Sequence, residues 1–435
     1  MEAPFVFVAK PGRANTILTV PNELPSFDEA TRIVTAHATR WGRFHNKKSR
    51  IALEFAAGRV LAEPLKADMD QPPFPRSTRD GFACRAEDAN AGRWLRVAGT
   101  THAGERPRGP LPKGAAWEIM TGAAVPPGAN AVAMLEHVEH GSDGVRLSAG
   151  RELATGENVV AKGAQARKGK VLLEAGTRIG PAQIALAAAC GHSRIAVKAR
   201  PRVAILTTGD ELVGIADRPG PGQIRNSNAA MLAALVEAAG GAPVVLATAG
   251  DTERALRLAL RQAMRAEMLL VSGGVSAGKR DLVEPVLASM GAKFHFTGVR
   301  IQPGKPLVFG EVPRKGKAPL PVFGLPGNPI SSAATFLLFG TRVLNSLGGQ
   351  TGGGPRFVMA RLGEGTKGRG NAGLTRFFPA KCEFDPGAGE LPEVSTVPWQ
   401  GSGDLPAFGE SNCFLVVPEG VASLNAGDVS RILLI

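Results

Sequence analysis

Beyond Arg202 the chain alternates short apolar runs with amphipathic stretches, and this alternation predicts the centre of its architecture. Val203 to Leu206, Val244 to Ala247, Leu269 to Val271 and Val322 to Leu325 are short and bounded by glycine, proline, hydroxyls or charge, so they read as buried strands. Between and after them, four helices are predicted: Asn228 to Ala239, stopped by Gly240-Gly241; a stretch capped by Asp251 and running through Arg265; Leu282 to Met290; and Ile330 to Leu347. Strand and helix at this spacing indicate βαβ units with right-handed crossovers, hence a central doubly wound α/β/α domain over residues 200–347.

Upstream the pattern changes. Ser26 precedes Phe27-Asp28-Glu29-Ala30, an N-cap serine with glutamate at capping-box distance, which predicts a helix. Ile51 to Leu61 reads as a second amphipathic helix. From Pro72 to Gly150 glycine and proline recur between short runs such as Leu95-Arg96-Val97 and Ala131 to Leu135, which predicts a small β domain. Pro181 suits the first turn of a helix through Ala189. Gly348 to Gly354 reads as a linker, followed by a C-terminal β domain. The expected fold class is therefore multidomain α/β plus β. Residues 24–71 with 151–199 form an N-terminal linking domain of mixed structure, 72–150 the small β domain, 200–347 the α/β domain and 355–435 the C-terminal β domain.

Bulk properties narrow the function. A chain of 435 residues exceeds one ordinary core and suits roughly two to four domains. Its 44% apolar and 20% charged residues indicate a globular protein rather than a disordered one. No apolar run is long enough to span a bilayer, and Met1 to Val20 lacks the layout of a signal peptide, so the expectation is a cytoplasmic protein without a membrane partner. Four cysteines lie far apart with no C-x-x-C pair, which predicts buried free thiols instead of a zinc ribbon or disulfide scaffold. The net charge of +13 suits an acidic partner or a phosphorylated substrate. Nucleic acid is disfavoured, because the basic residues are dispersed and tyrosine is absent.

The loops that follow the predicted strands converge on one sheet edge, where open α/β sheets bind ligands. They carry Thr208-Gly209-Asp210-Glu211, Gly250-Asp251, Ser272 to Asp281 and Pro326-Gly327-Asn328-Pro329. Glycines directly after a buried strand let a ligand approach the backbone, and Asp281 with Glu284 has the spacing of a helix-capping pair. Amides and hydroxyls suit a phosphate or oxyanion, and several carboxylates suit magnesium. Lys305, in Gln302-Pro303-Gly304-Lys305-Pro306, adds a cation on a restricted backbone. Neither a Walker A spacing nor a dinucleotide fingerprint is present. Taken singly, Asp251 and Asp281 read equally as helix caps, Asp210-Glu211 as a solvated turn, and the Pro326 to Pro329 loop as a rigid turn; their joint placement favours a site. His137 and His140 with Glu136 and Glu139 have helical spacing but lie in a strand-and-turn region, so no metal site is expected there.

Further motifs are ordered along the chain: Pro72-Pro73-Phe74 with Asp80-Gly81-Phe82-Ala83, Ile119-Met120-Thr121-Gly122-Ala123, Gly222-Gln223-Ile224 with Asn226 and Asn228, Pro303-Gly304-Lys305-Pro306, Gln400-Gly401-Ser402 and Val416-Val417-Pro418. With them, from Ser26 to the C-terminus, the chain resembles the MoeA and gephyrin E-domain family of molybdopterin molybdenumtransferases. The resemblance implies an enzyme that cleaves adenylylated molybdopterin and inserts molybdate into the dithiolene with Mg2+. It also implies an elongated homodimer in which the α/β domain of one protomer faces the small β domain of the other. Ser272, Gly273, Gly274 and Ser276 would cradle the pterin phosphate or adenylate, with Asn226, Pro326, Gly327, Asn328 and Pro329 as further binding residues. Asp210, Glu211, Asp251 and Asp281 would position water or hold magnesium, the metal set being Glu211, Asp251 and Asp281. Lys305 would stabilise anionic charge, and Asp80 and Thr121 would act from the small β domain. Implied partners are a molybdopterin adenylyltransferase and apo-molybdoenzymes or their chaperones.

The chain departs from the family where many members have Asn-Ser-Ala-Met-Asp-Gly-Tyr: here stands Arg76-Ser77-Thr78-Arg79-Asp80-Gly81-Phe82. Gly298 and Gln302 stand where some relatives carry lysines, with Arg300 close by. Two alternatives are a non-catalytic molybdopterin carrier or scaffold, against which the convergent carboxylates argue, and the adenylyltransferase, against which the flanking β domains argue.

Overall fold

A computed structural model describes residues 23–274, 282–366, 371–384 and 391–435. They fall into two units, one built from the chain up to Lys48 and from Lys198 to Ile435, the other from Ser49 to Val197.

The larger unit is organised by a six-stranded sheet in the order Ala242–Val245, Arg202–Thr207, Met268–Ser272, Lys317–Leu325, Val308–Arg314, Lys293–Thr297. The first four strands pair in parallel, with Val203 opposite Met268 and Leu269 opposite Val322. Helices cover both faces, and the strand period of two sorts the residues between them. Val203, Ile205, Met268 and Leu270 pack in one core with Phe27, Leu232 and Leu344. Ala204, Leu206, Leu269 and Val271 pack in the other with Leu256, Leu260 and Val286. The doubly wound α/β/α arrangement is thus present, but the sheet is mixed: Val308–Arg314 pairs antiparallel with both Lys317–Leu325 and Lys293–Thr297.

The helix Phe27–Gly42 has the capping box its sequence predicts, with Glu29 N donating to Ser26 Oγ and Ser26 N donating to Glu29 Oε2. It packs along Thr341–Leu347. The stretch expected as one helix from Ile330 runs as Pro329–Thr335, a π turn Phe336–Gly340 and Thr341–Leu347. Gly340 is needed there, because a Cβ would stand 2.6 Å from the Phe336 ring.

Two local expectations are overturned. Ile51 to Leu61 is not a helix: Lys48–Ala52 is a strand paired with Arg194–Lys198, followed by the 3-10 turn Leu53–Phe55. Long-range pairing overrides the local periodicity. Asp251 does not cap the next helix either; Thr252 does, its Oγ1 accepting from Ala255 N at 3.3 Å ahead of Glu253–Ala263.

Towards the C-terminus, the strands Ile301–Gln302, Thr375–Glu383, Glu393–Thr396, Phe357–Leu362, Val429–Leu434 and Cys413–Val417 form a second sheet in that order. An additional pairing of Thr375–Glu383 with Cys413–Val417 closes it into a barrel around Leu362, Val394, Leu415 and Ile432.

The smaller unit holds a four-stranded sheet in the order Arg96–Thr101, Ala115–Ile119, Gly81–Cys84, Ala131–Met134. A separate apolar cluster of Leu61, Leu65, Ile179, Ile195 and Val197 supports its remainder. All four cysteines are free and buried, and burial pushes the thiols of Cys84 and Cys413 up to about 12. Among the described residues no helix is long and apolar enough to cross a membrane.

Candidate functional site

In the larger unit, the carboxyl ends of the parallel strands open into a cleft of about 500 Å³. Four strand ends contribute to its lining: Thr208, Gly209 and Glu211 after Arg202–Thr207; Asp251 after Ala242–Val245; Ser272, Gly273 and Gly274 at the end of Met268–Ser272; and Pro326, Gly327, Asn328 and Pro329 after Lys317–Leu325. Asn226 and Asn228, at the start of Ser227–Ala238, close one side.

Close backbone approach explains the glycines. Gly273 and Gly274 have φ of +93° and +64°, and a Cβ on either would stand 2.7 Å from Thr208 O or 2.9 Å from Thr208 Oγ1. No larger residue fits without moving the Thr208 loop. The Thr208 hydroxyl is buried without a hydrogen-bond partner among the described residues.

The two asparagines divide their labour. Asn226 is committed to the scaffold: Oδ1 accepts from Ala229 N at 3.1 Å, and Nδ2 donates to Thr207 Oγ1 at 2.8 Å and Thr248 Oγ1 at 3.1 Å. Asn228 Nδ2 donates to Ser272 Oγ at 2.9 Å and Gly327 O at 2.6 Å, tying two loops of the cleft together. Its Oδ1 is buried and has no partner among the described residues. Buried polar atoms without partners are uncommon in native proteins and point to a missing one. Thr208 and Asn228 both line the cleft.

The carboxylates lie nearer solvent. Glu211 and Asp251 line the cleft and are exposed. Asp210 is also exposed and accepts from Asp251 N at 3.1 Å, which fixes one loop to the other. Asn328 Nδ2 donates to Ser402 Oγ at 2.8 Å, and Ile330 N to Ser402 O at 3.0 Å, so the Gln400-Gly401-Ser402 motif buttresses the Pro326 to Pro329 loop. Lys305 is exposed, and the cleft is lined at this point by its neighbour Pro306. Ser276 and Asp281 lie outside the described residues.

Asp80 and Thr121 meet in the smaller unit. Asp80 Oδ1 accepts from Thr121 N at 2.6 Å and Thr121 Oγ1 at 2.8 Å. The backbone bond first, and the hydroxyl second, hold this exposed carboxyl below its usual range. Ser77 orders the same turn, accepting from Arg79 N at 3.2 Å. The residues His137 and His140 are not gathered with Glu136 and Glu139 into a metal-binding group, and Glu139 is paired with Arg146 at 2.5 Å. Sequence reasoning missed Thr208 and Asn228 as candidate contacts. Asn226 and Asn228 were both visible in the motif, but only the fold shows which one caps the helix.

Comparison with known proteins matches three regions in order along the chain. Residues 25–191 match the MoeA N-terminal region (domain I and II), 204–346 a probable molybdopterin binding domain, and 361–435 the MoeA C-terminal region (domain IV). A molybdopterin molybdenumtransferase of Nostoc sp. is 35% identical over 388 residues, covering 86% of this chain and 85% of that protein. One of Bacillus subtilis is 33% identical over 427 residues, covering 94% and 93%. The crystal structure of the molybdopterin biosynthesis moeA protein from Pyrococcus horikoshii OT3 superposes with a TM-score of 0.77 at 29% identity, covering 95% of this chain and 100% of that one. With three regions matched in order and relatives aligned over nearly the full length, the chain belongs to the MoeA family.

Proposed function

We propose that this chain is a molybdopterin molybdenumtransferase, which takes adenylylated molybdopterin, cleaves the adenylate and inserts molybdate into the dithiolene. The observation that carries this reading is the cleft at the strand ends, where two buried polar atoms stand unpartnered beside glycines that admit a ligand to the backbone. A pterin phosphate or adenylate supplies both donors and acceptors for such a surface. The family relationship supports an enzyme over a carrier.

Within this reading, Ser272, Gly273, Gly274 and Asn228 hold the phosphate-bearing ligand, with Asn328 and its neighbours forming the opposite wall. Asn226 supports them as a helix cap. Glu211 and Asp251 fit magnesium: both are exposed oxygen donors in the cleft, and no ion pair engages either among the described residues. The ion, when bound, neutralises phosphate charge. Asp210 keeps the Asp251 loop in place, and Lys305, next to the cleft-lining Pro306, adds positive charge for the departing adenylate. Asp281 and Ser276 join the site on motif alone, and Asp80 and Thr121 are catalytic candidates on the resemblance. We further assign a cytoplasmic homodimer, supplied by a molybdopterin adenylyltransferase and delivering to apo-molybdoenzymes or their chaperones.

The test is AMP release from adenylylated molybdopterin by the purified protein with Mg2+, with and without molybdate. Molybdate-dependent release with active cofactor is expected. Tight binding without release would sink the catalytic reading and leave the carrier.

A further inference from the structure

At the sheet edge formed by Lys293–Thr297, three side chains meet that the cleft does not use. His37 comes from the helix Phe27–Gly42, His295 from the edge strand and Glu311 from Val308–Arg314 beside it. Each offers a ligand atom, and these atoms lie within 4.8 Å of one another. The imidazoles stack with centroids 3.6 Å apart and planes inclined by 27°. His37 Nδ1 and His295 Nε2 are both buried without a hydrogen-bond partner among the described residues. Glu311 is nearly buried and keeps its charge through Arg40 and Trp41, the latter donating from Nε1 to Oε2 at 2.9 Å.

Ordinary packing accounts for the rings but not for this polar arrangement. Phe309 lies 5.3 Å from the His295 ring and Trp41 lies 6.4 Å from it, so an apolar side chain would satisfy the space. Two unpartnered imidazole nitrogens next to a carboxylate instead carry a desolvation cost with no return unless something binds them. We infer that His37, His295 and Glu311 form a site for a borderline divalent transition-metal cation, with Zn2+ the best match to two imidazole nitrogens and one carboxylate oxygen. Magnesium and calcium prefer all-oxygen sets.

Electrostatics agree with this assignment. Burial is the main force on both imidazoles and disfavours their charged forms. Burial pushes the Glu311 carboxyl up, but the hydrogen bonds from Arg40 and Trp41 outweigh it and leave it ionised. Tetrahedral zinc places its donors about 3.3 Å apart, whereas the three ligand atoms lie within 4.8 Å of one another and the two rings are stacked, so binding requires the imidazoles to turn out of that stack. Trp41 would remain the outer partner that orients the carboxylate. Arg40 opposes a second cation on the same oxygen, and its side chain is half exposed, so metal binding loosens that pair. The bound ion would fasten the first helix to the sheet edge.

The test uses the chelator-stripped full-length protein without pterin, titrated with Co2+ and then displaced with Zn2+. His295→Phe suits the aromatic surroundings, and Glu311→Gln keeps an acceptor for Trp41. Wild type should show the visible absorption of tetrahedral Co2+, lost on adding Zn2+, together with a Zn2+-dependent rise in Tm. Both variants, folded by circular dichroism, should bind at least about 100-fold more weakly, beyond the loss expected from an outer partner. No such absorption in wild type overturns the proposal. So does absorption that persists undiminished in either folded variant, which would place the ion at other donors.

Discussion

The Asp80 turn of the smaller unit and the Thr208 edge of the larger one use similar residue types in opposite ways. In the turn, Thr121 gives both its amide and its hydroxyl to Asp80, and the carboxylate is preset in its charged form. At the cleft, the Thr208 hydroxyl and the Asn228 carboxamide oxygen are buried with nothing to bind. One arrangement satisfies its own polar atoms; the other leaves two of them open, as the proposed ligand site would. A polar side chain is thus diagnostic of binding through the bonds it lacks, more than through its identity.

Gly273→Ala should break this contrast most severely. The new methyl would meet Thr208 O at 2.7 Å on a backbone with φ of +93°, destabilising the larger unit by more than about 1 kcal/mol. Because the turn proposed to hold the adenylate shifts with it, AMP release should fall roughly 100-fold. Single-turnover assays beside thermal melts separate the two effects.

Asn228→Ala removes the tie between Ser272 and Gly327 and should weaken pterin binding by about 1–3 kcal/mol, read by calorimetry. Thr208→Val sharpens the comparison because its two readouts move in opposite directions. Replacing an orphaned hydroxyl by a methyl should leave the free protein unchanged or stabilise it by about 1 kcal/mol, while ligand affinity falls. A Thr208→Val variant that loses stability but not affinity would show that the hydroxyl belongs to the scaffold.

The smallest effect is expected from Thr121→Ala. Asp80 is depressed in the folded state, so its contribution to stability is present above its unfolded pKa and disappears as pH falls through its folded value. Losing the hydroxyl bond raises the folded value, and NMR titration should show Asp80 protonating at higher pH. An unchanged titration would mean that the backbone amide alone sets the charge.

Much of the α/β core was legible because its signals are local. Four apolar runs marked the parallel strands, and Ser26 with Glu29 marked the first helix. The antiparallel additions were not legible: Gly310 and Pro313 interrupt the pattern of Val308–Arg314, and His295 interrupts Lys293–Thr297, so neither shows a strand's apolar continuity. Ile51 was misread for the same reason that Asp251 was, since a distant partner strand and an adjacent threonine decided what local spacing left open. In the site, the glycine loop was visible by its composition. The separate roles of Asn226 and Asn228 were not, because helix capping and ligand contact draw on the same side chain.

The buried thiols have a practical consequence. Neither unit presents an exposed native cysteine to a maleimide. A single cysteine placed at Ile224, which lines the cleft and is 58% exposed, would therefore take a fluorophore with the native four left in place. Labelling of the native sites then becomes a clock of opening, Cys84 and Cys190 timing the smaller unit and Cys382 and Cys413 the larger.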